Sequence, residues 1–302
     1  MKKIILLLVT TTLCWVDVNA QDVLTSEEMN SVYKKEKHHT KIVQEYVPLR
    51  QADIMWSRKI WREIDLRQKI NHPFYYPMNN GEPDAAVTDD RKSLIDVIYG
   101  AILEGTITAY AGAAYDDEFR EEMSDKEILN VGNAEQKMIK VYDKVLISQG
   151  VDPRLAQKDS LVNIPFDRNI IKKWRLKEEW FFDKQRSVMD VRIIGLAPLQ
   201  EDRDELNPKI LLGTFSPLFW VWFPEARKVL INAEVFNSVK NDAERRTYDD
   251  IFWKRMFAST IVKEANVMDR DVNEYMVGLD ALLEAERIKT EIFNIEHDLW
   301  EY

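Results

Sequence analysis

The spacing of apolar residues predicts helices in the first half of the chain. In segment 53–71, apolar side chains recur at every fourth position, with Trp61 beside them. The recurring positions are Trp56, Ile60 and Ile64. This spacing is that of one face of an amphipathic helix. The same kind of pattern predicts further helices over 93–103 and 138–147.

In the centre of the chain the period changes. Apolar and charged side chains alternate over 174–182, and the alternation returns over 189–193. Such alternation predicts strands with one buried face. Segment 219–223 is apolar on both faces, which predicts a covered strand. A turn over 224–227 then leads into 229–231, so we predict a β-hairpin here.

The C-terminal part returns to helical spacing. Asn241 and Glu244 form a capping pattern for a helix that extends to Val262. A final amphipathic helix is predicted over 279–299. The chain is therefore predicted to have an α+β fold, with a helical N-terminal part, central antiparallel strands with a hairpin, and C-terminal helices.

These patterns also divide the chain into regions. Residues 21–52 are polar, and we expect them to form a mobile N-terminal arm. A helix-rich region over 53–170 and a strand-then-helix region over 171–302 follow. The last two regions form either one domain or two.

Residues 1–20 have the three parts of a secretory signal peptide. Two lysines give a positively charged start, residues 4–16 are mainly apolar, and residues 18–20 carry a small-residue cleavage motif. We therefore expect cleavage before Gln21 and export of the mature chain into the cell envelope.

A membrane anchor and a lipoprotein are the two alternatives for this segment. The apolar stretch is shorter than the roughly 20 residues that a membrane-spanning helix needs. Acylation at Cys14 requires a small residue before it, and the chain has Leu13 there. Cleavage before Gln21 removes the only cysteine, so we expect no disulfide, thiol nucleophile or cysteine-bound zinc in the mature chain.

Composition adds three constraints. Hydrophobic residues make up 45% of the chain, which favours a folded protein over a disordered one. The formal net charge of -10 argues against general nucleic-acid binding, because such binding depends on neutralising phosphates. The many tryptophans suit a core and a protein interface alike.

The sequence has no recognisable catalytic or metal motif. None of the four histidines lies in an HExxH pattern, and GxSxG and Walker-type patterns are absent. Residues 269–273 place oxygens at positions one, three and five of a calcium loop, but Glu274 stands where glycine is needed. A helix start at Asp271 explains this segment better. We therefore predict no catalytic, cofactor-binding or metal-binding residues.

An envelope glycan hydrolase or a carbohydrate-binding protein is the alternative from another functional class. Glycoside hydrolysis uses paired carboxylates, and adjacent acids occur at 116–117 and 249–250. In so acidic a chain such pairs usually form a solvated surface. Trp220 and Trp222 share one face of the predicted strand and would offer a sugar platform, although burial in the core accounts for them as well.

Blocks of sequence along nearly the whole mature chain carry a family resemblance. They are residues 56–67 (WSRKIWREIDLR), 71–77, 105–110, 177–184 (KEEWFFDK), 189–198 and 245–250, and the tail ending in Trp300. In these blocks the chain resembles the gliding-motility family GldN, whose relatives in non-gliding members of the same phylum are called PorN.

This resemblance implies a subunit of the type IX secretion system of Bacteroidetes. Family members assemble with an outer-membrane lipoprotein, GldK or PorK, into a ring beneath the outer membrane. The ring is expected to engage the periplasmic part of the motor protein GldM or PorM. By this resemblance the chain is non-catalytic and homo-oligomeric within the ring, binds no nucleic acid, and contacts the membrane only indirectly.

We expect the interaction site within the helix predicted over 53–71. Aromatic and arginine side chains are enriched at interface hot spots. The candidates are Trp56, Arg58, Trp61, Arg62 and Arg67. The alternative is that the two tryptophans fill the protein's own core, because helical periodicity serves either purpose.

Overall fold

The computed structural model of the chain describes residues 41–77, 91–112, 117–131, 135–142, 157–164, 166–203, 211–236 and 244–298. For 135–142 and 157–164 it describes the backbone only. The predicted signal peptide and most of the predicted arm lie outside these residues. The predicted cap at Asn241 and the C-terminal Trp300 lie outside them as well.

An antiparallel sheet of seven strands is the frame of the described residues. In spatial order its strands are β2 (Ala109–Ala111), β8 (Phe219–Trp222), β6 (Val188–Arg203), β5 (Ile171–Asp183), β1 (Ile54–Asp65) and β9 (Thr260–Glu264), and β7 (Leu211–Pro217) also pairs with β6. A separate two-stranded sheet consists of β3 (Glu135–Tyr142) and β4 (Gln157–Ile164).

Seven α-helices complete the described part of the chain. They are α1 (His72–Tyr75), α2 (Leu94–Leu103), α3 (Asp125–Leu129), α4 (Phe223–Leu230), α5 (Tyr248–Trp253), α6 (Val272–Tyr275) and α7 (Leu279–Asp298). None of these described helices has the length and apolar character needed to cross a membrane. The combination of helices with an antiparallel sheet confirms the predicted α+β class.

Most of the core lies on one face of the large sheet. Helices α2, α4 and α5 cover the part formed by β5, β6 and β8, where Trp174 and Phe252 belong to one buried cluster. Helix α7 covers the part formed by β1 and β9, where Ile288 packs with Ile60 and Ile261. The sheet therefore has two neighbouring apolar clusters on this face.

The helix predicted over 53–71 is wrong, because this segment forms strand β1. Its regularly spaced apolar residues do share one face, but a spacing of four is also twice the strand period of two. Arg58 and Arg62 lie between them on the same face and have carboxylates nearby. Pairing with β5 on one side and β9 on the other fixes β1 inside the sheet.

The helix predicted over 138–147 is wrong in its described part. Residues Glu135–Tyr142 form strand β3, which pairs with β4 along its whole length. The β-branched Ile139 and Val141 favour a strand. Residues 143–147 lie outside the described part of the chain.

The predicted hairpin after β8 is also wrong, because helix α4 begins directly at the end of that strand. Pro224 lies in the first turn of this helix, where its missing N–H group is not needed. Ala226 and Leu230, four residues apart, are both buried. The proline therefore starts a helix here and does not mark a turn.

The helix predicted to extend to Val262 is shorter than expected. Helix α5 is capped by Thr247 and Asp250 and ends at Trp253, and β9 follows as a strand at the sheet edge. Arg255 has a positive φ of 51°, a conformation that does not continue a helix. The other predicted elements are confirmed: α2, the strands β5, β6 and β8, and the final helix α7. The division into domains stays a prediction.

Candidate interaction site

The five candidate residues lie in different environments on strand β1 and just after it. Successive residues of a strand point to opposite faces of the sheet. Trp56, Arg58 and Arg62 therefore lie on the face that α7 covers, and Trp61 lies on the opposite face. Arg67 follows the end of β1. The five candidates therefore do not form one continuous surface.

Trp61 is buried between two lysines. Its indole Nε1 donates a hydrogen bond to the Asp117 carboxylate. The Nζ atom of Lys177 lies 5.5 Å and that of Lys263 lies 4.8 Å from the centre of the ring. Lys177 also donates to the backbone oxygen of Asp117 at 2.8 Å. The satisfied indole N–H and the two cation–π contacts fix this tryptophan inside the fold.

Arg58 connects the last helix to the sheet. Its Nη1 atom donates to Glu264 Oε2 of β9 at 3.1 Å and to Glu291 Oε1 of α7 at 3.2 Å. Its guanidinium carbon lies 5.7 Å from the centre of the Trp56 ring, which is half-buried against the cluster under α7. Charge-assisted bonds of this kind are stronger than neutral ones. Both candidates therefore help to hold α7 in place.

Arg62 lies in a group of buried charges. Glu178 of β5 is fully buried on the same face, and Arg255 Nη2 lies 2.9 Å from its Oε1 atom. Trp180 Nε1 donates to the other carboxylate oxygen at 3.2 Å. Burial lowers the pKa of Arg62, while the charge of Glu178 acts in the opposite direction. Arg255 is the cation that pairs with this carboxylate, whose burial would be costly without one. Arg62 adds positive charge nearby, although its buried Nε atom has no hydrogen-bond partner.

Arg67 is the exposed member of the five candidates, with 73% of its side chain accessible. Its Nη2 atom lies 2.7 Å from Asp65 Oδ2. Hydrogen bonds between the two raise the pKa of Arg67 and lower the pKa of Asp65. Exposed ion pairs add little to stability. Arg67 is therefore the candidate available to another protein, and its role in an interface stays a prediction.

The acidic pairs considered for glycan hydrolysis are engaged in internal contacts. Asp117 binds the Trp61 indole, as described above. Asp249 accepts hydrogen bonds from the buried Arg227 at 2.8 and 3.2 Å. Asp250 accepts from the N-terminal cap of α5. The remaining member, Asp116, lies outside the described residues.

The calcium-like segment forms a helix start, as predicted, but Asp271 makes no capping hydrogen bond with its side chain. Asp271 is the residue before α6, and burial raises its pKa. Asp269 pairs with Lys263 at 2.8 Å, and Asp271 lies 3.7 Å from Arg175. Across the described ranges, no three histidine, cysteine or acidic side chains come together as metal ligands would.

The structure exposes an apolar surface that the sequence did not single out. Leu279, Leu282 and Leu283 of α7 are exposed, while Ala281 and Ala285 of the same helix are buried. A signal for this was present, because the leucines and alanines lie on two different sides of the helix. The prediction of an amphipathic helix assumes one apolar side and therefore missed the second.

Comparison with known proteins identifies a family. The family model described as "Gliding motility associated protein GldN" matches residues 49–301. The match includes every strand and every α-helix of the described residues. No curated protein matches the chain. The chain belongs to the GldN family. Proteins of this family are components of the gliding-motility and type IX secretion machinery of the cell envelope.

Proposed function

We propose that this chain, as a member of the GldN family, is a non-catalytic periplasmic subunit of the type IX secretion machinery. Several copies assemble with a GldK- or PorK-like outer-membrane lipoprotein into a ring beneath the outer membrane. The observation that carries the proposal is the family match over 49–301, which spans the whole described fold and not one short motif.

The periplasmic location is supported by the pattern of residues 1–20. A charged start, an apolar stretch and a cleavage motif before Gln21 are the features of an exported protein. After cleavage the chain has no cysteine that an acyl anchor would need. Its contact with the membrane is therefore indirect and runs through the lipoprotein.

A second partner in this proposal is the periplasmic part of a GldM- or PorM-like motor protein. Docking on either partner requires side chains that the fold itself does not use. Trp61 and Arg58 are engaged in internal contacts, and Arg62 is partly buried near the carboxylate of Glu178. Arg67 meets the requirement, since it is 73% exposed and, among the described residues, forms an ion pair with Asp65 alone.

Isolation of the tagged full-length chain from native envelopes tests the proposal. We expect a particle of many subunits that contains the lipoprotein in a fixed ratio, and no release of soluble product from purified cell-wall glycan. A monomeric protein that hydrolyses or binds the glycan would overturn the proposal. It would support the envelope hydrolase or the carbohydrate-binding protein instead.

The substitution Arg67→Glu tests the available candidate residue, with Arg50→Glu as a matched control. Both arginines have 73% of the side chain exposed, and each lies 2.7 Å from an aspartate nearby in sequence. We expect only Arg67→Glu to reduce recovery of the lipoprotein, because charge reversal at an interface opposes association. Equal recovery with both variants would remove Arg67 from the interface.

Arg58 and Arg62 are unsuitable for such a test. Reversing the charge of Arg58 places a third carboxylate beside Glu264 and Glu291. Reversing that of Arg62 places a second carboxylate near the buried Glu178. Either change destabilises the fold itself. A loss of binding would then say nothing about the interface.

A further inference from the structure

Helix α7 carries apolar side chains on two opposite sides. Its inner side is buried on the sheet and consists of Ala281, Ala285, Ile288 and Ile292. Its outer side carries Leu279, Leu282 and Leu283, which are 70%, 56% and 60% exposed. The inner side already provides the packing that an amphipathic helix needs. The outer leucines therefore serve something other than the folding of this helix.

The segment before α7 extends the outer side. Tyr275, Met276 and Val277 are exposed and lead directly into the helix. We define the C-terminal apolar surface as Tyr275, Met276, Val277, Leu279, Leu282 and Leu283. Single exposed apolar residues are common on protein surfaces, whereas a concentration of large ones marks an interaction site.

The rim of the C-terminal apolar surface is acidic. Residues 264–286 include seven acidic residues and one basic residue, Arg270. Some of these acids pair with lysines and arginines of the same chain. Glu274 and Asp280, one on each side of Val277, form no ion pair with another described residue. The surface thus combines exposed leucines with uncompensated negative charge.

The negative charge around this surface excludes some binding partners and favours others. Two copies that met through the same surface would bring their uncompensated carboxylates together, and anionic lipid headgroups would be repelled as well. Lysine or arginine beside apolar side chains matches both features of the surface. The leucines are spaced three and four residues apart, which is the spacing that lets one helix pack on another.

We propose that the C-terminal apolar surface binds a basic amphipathic helix of another protein. Apolar side chains of that helix cover the leucines of α7, and its flanking lysines or arginines pair with Glu274 and Asp280. The inference deepens the proposed assembly function and rests on it for the existence of a partner. It adds the surface that is used and the chemistry of the segment that binds there.

Site-specific photo-crosslinking in growing cells tests this inference. A benzophenone amino acid replaces Leu282 or, as a control, Leu212 of β7, which is almost equally exposed at 57%. We expect position 282 to crosslink to a peptide of another protein that mass spectrometry shows to be apolar and rich in lysine or arginine. Crosslinks to a second copy of this chain, to lipid or to an acidic peptide overturn the proposal. A yield no higher than at position 212 also overturns it.

Two double variants separate docking from folding. Leu282→Ser with Leu283→Ser removes the apolar contact, and Leu211→Ser with Leu212→Ser is the matched control on β7, where both leucines are exposed. Both variants should keep the melting temperature of the parent. Only the first should reduce crosslinking from position 279, by about tenfold or more, as expected for loss of central interface residues. An equal yield in both variants contradicts the proposal.

The variant Asp280→Lys tests the charge complementarity. It should reduce crosslinking from position 282 at low salt, and the reduction should shrink as salt screens the charges. An unchanged yield excludes a basic partner segment. Recovery of the lipoprotein from envelopes reports the proposed function separately. A chain that still assembles but gives no such crosslink refutes the docking surface and leaves the assembly function standing.

Discussion

Strand β1 and helix α7 carry contrasting side chains. Strand β1 has the tryptophans and arginines that are typical of interface hot spots. Trp61 and Arg58 are nevertheless bonded to other parts of the same chain, and Arg62 is partly buried. Helix α7 has leucines, which are under-represented among hot spots, yet Leu282 and Leu283 are exposed. The difference shows that residue type indicates which groups bind strongly, whereas exposure decides which of them are available.

The positions of the two elements explain this difference. Strand β1 lies between β5 and β9, and α7 covers one of its faces. On the other face the segment that contains Asp117 covers Trp61, whereas Met55 is exposed. Buried indole and guanidinium groups need polar partners, and β1 finds them in Asp117, Glu264 and Glu291. Helix α7 packs on the sheet with one side only. Its other side is exposed.

The largest effect on stability is expected for Trp61→Ala. Removal of a buried tryptophan leaves a cavity and should lower the free energy of unfolding by about 3 to 5 kcal/mol. Trp222→Ala is the matched control, because Trp222 is 47% exposed, and it should cost much less. Urea unfolding followed by circular dichroism measures both. Equal losses of stability for the two variants would mean that Trp61 is not tightly packed.

The next largest effect is expected on the inner side of α7. Ile288 is fully buried with Ile60 and Ile261. Ile288→Ala should therefore lower the free energy of unfolding by about 2 to 5 kcal/mol. Amide hydrogen exchange should also become faster throughout α7, because its packing on the sheet is weakened. If the stability loss were as small as that of a surface substitution, α7 would not be held by this side.

A smaller effect is expected for Arg58→Ala. The substitution removes two charge-assisted hydrogen bonds that join α7 to β9. Because the arginine is partly exposed, we expect a loss of about 1 to 2 kcal/mol. Arg287→Ala is the control, since Arg287 also pairs with Glu291 but is more exposed, and it should cost at most about 0.5 kcal/mol. A larger loss of stability for Arg287→Ala than for Arg58→Ala would mean that Arg58 is not the main connection between α7 and the sheet.

Several elements could be predicted from local spacing alone. Helix α2 follows from its apolar period and its cap at Ser93, and β5 follows from the alternation of apolar and charged residues over most of its length. Strand β1 could not be predicted in this way, because a spacing of four residues fits both a helix and a strand. Its partner Lys177, opposite Trp61, is far away in sequence. Pro224 is similarly ambiguous, since proline is common in turns and in the first turn of a helix.

The sequence could indicate which types of residue suit an interface, but it could not indicate which of them are exposed in the folded chain. Trp220 and Trp222 illustrate this, because they lie on the same face of β8, but only Trp220 is buried. Phe119 packs against Trp220 with its ring centre 6.2 Å away and belongs with Tyr110 to the residues that cover it. Such cover comes from distant parts of the chain. The family resemblance is confirmed, but it rested on sequence blocks and carried no information on contacts.

The smallest effect on stability is expected on the outer side of α7. Leu283→Ala removes an exposed side chain and introduces a better helix former, so the free energy of unfolding should change by less than about 0.5 kcal/mol. Ile288→Ala, five residues further along the same helix, is the reference. Urea unfolding of the two variants compares the sides directly. If Leu283→Ala were as costly as Ile288→Ala, Leu283 would be covered by the chain itself. The C-terminal apolar surface would then belong to the core, and the contrast between β1 and α7 would disappear.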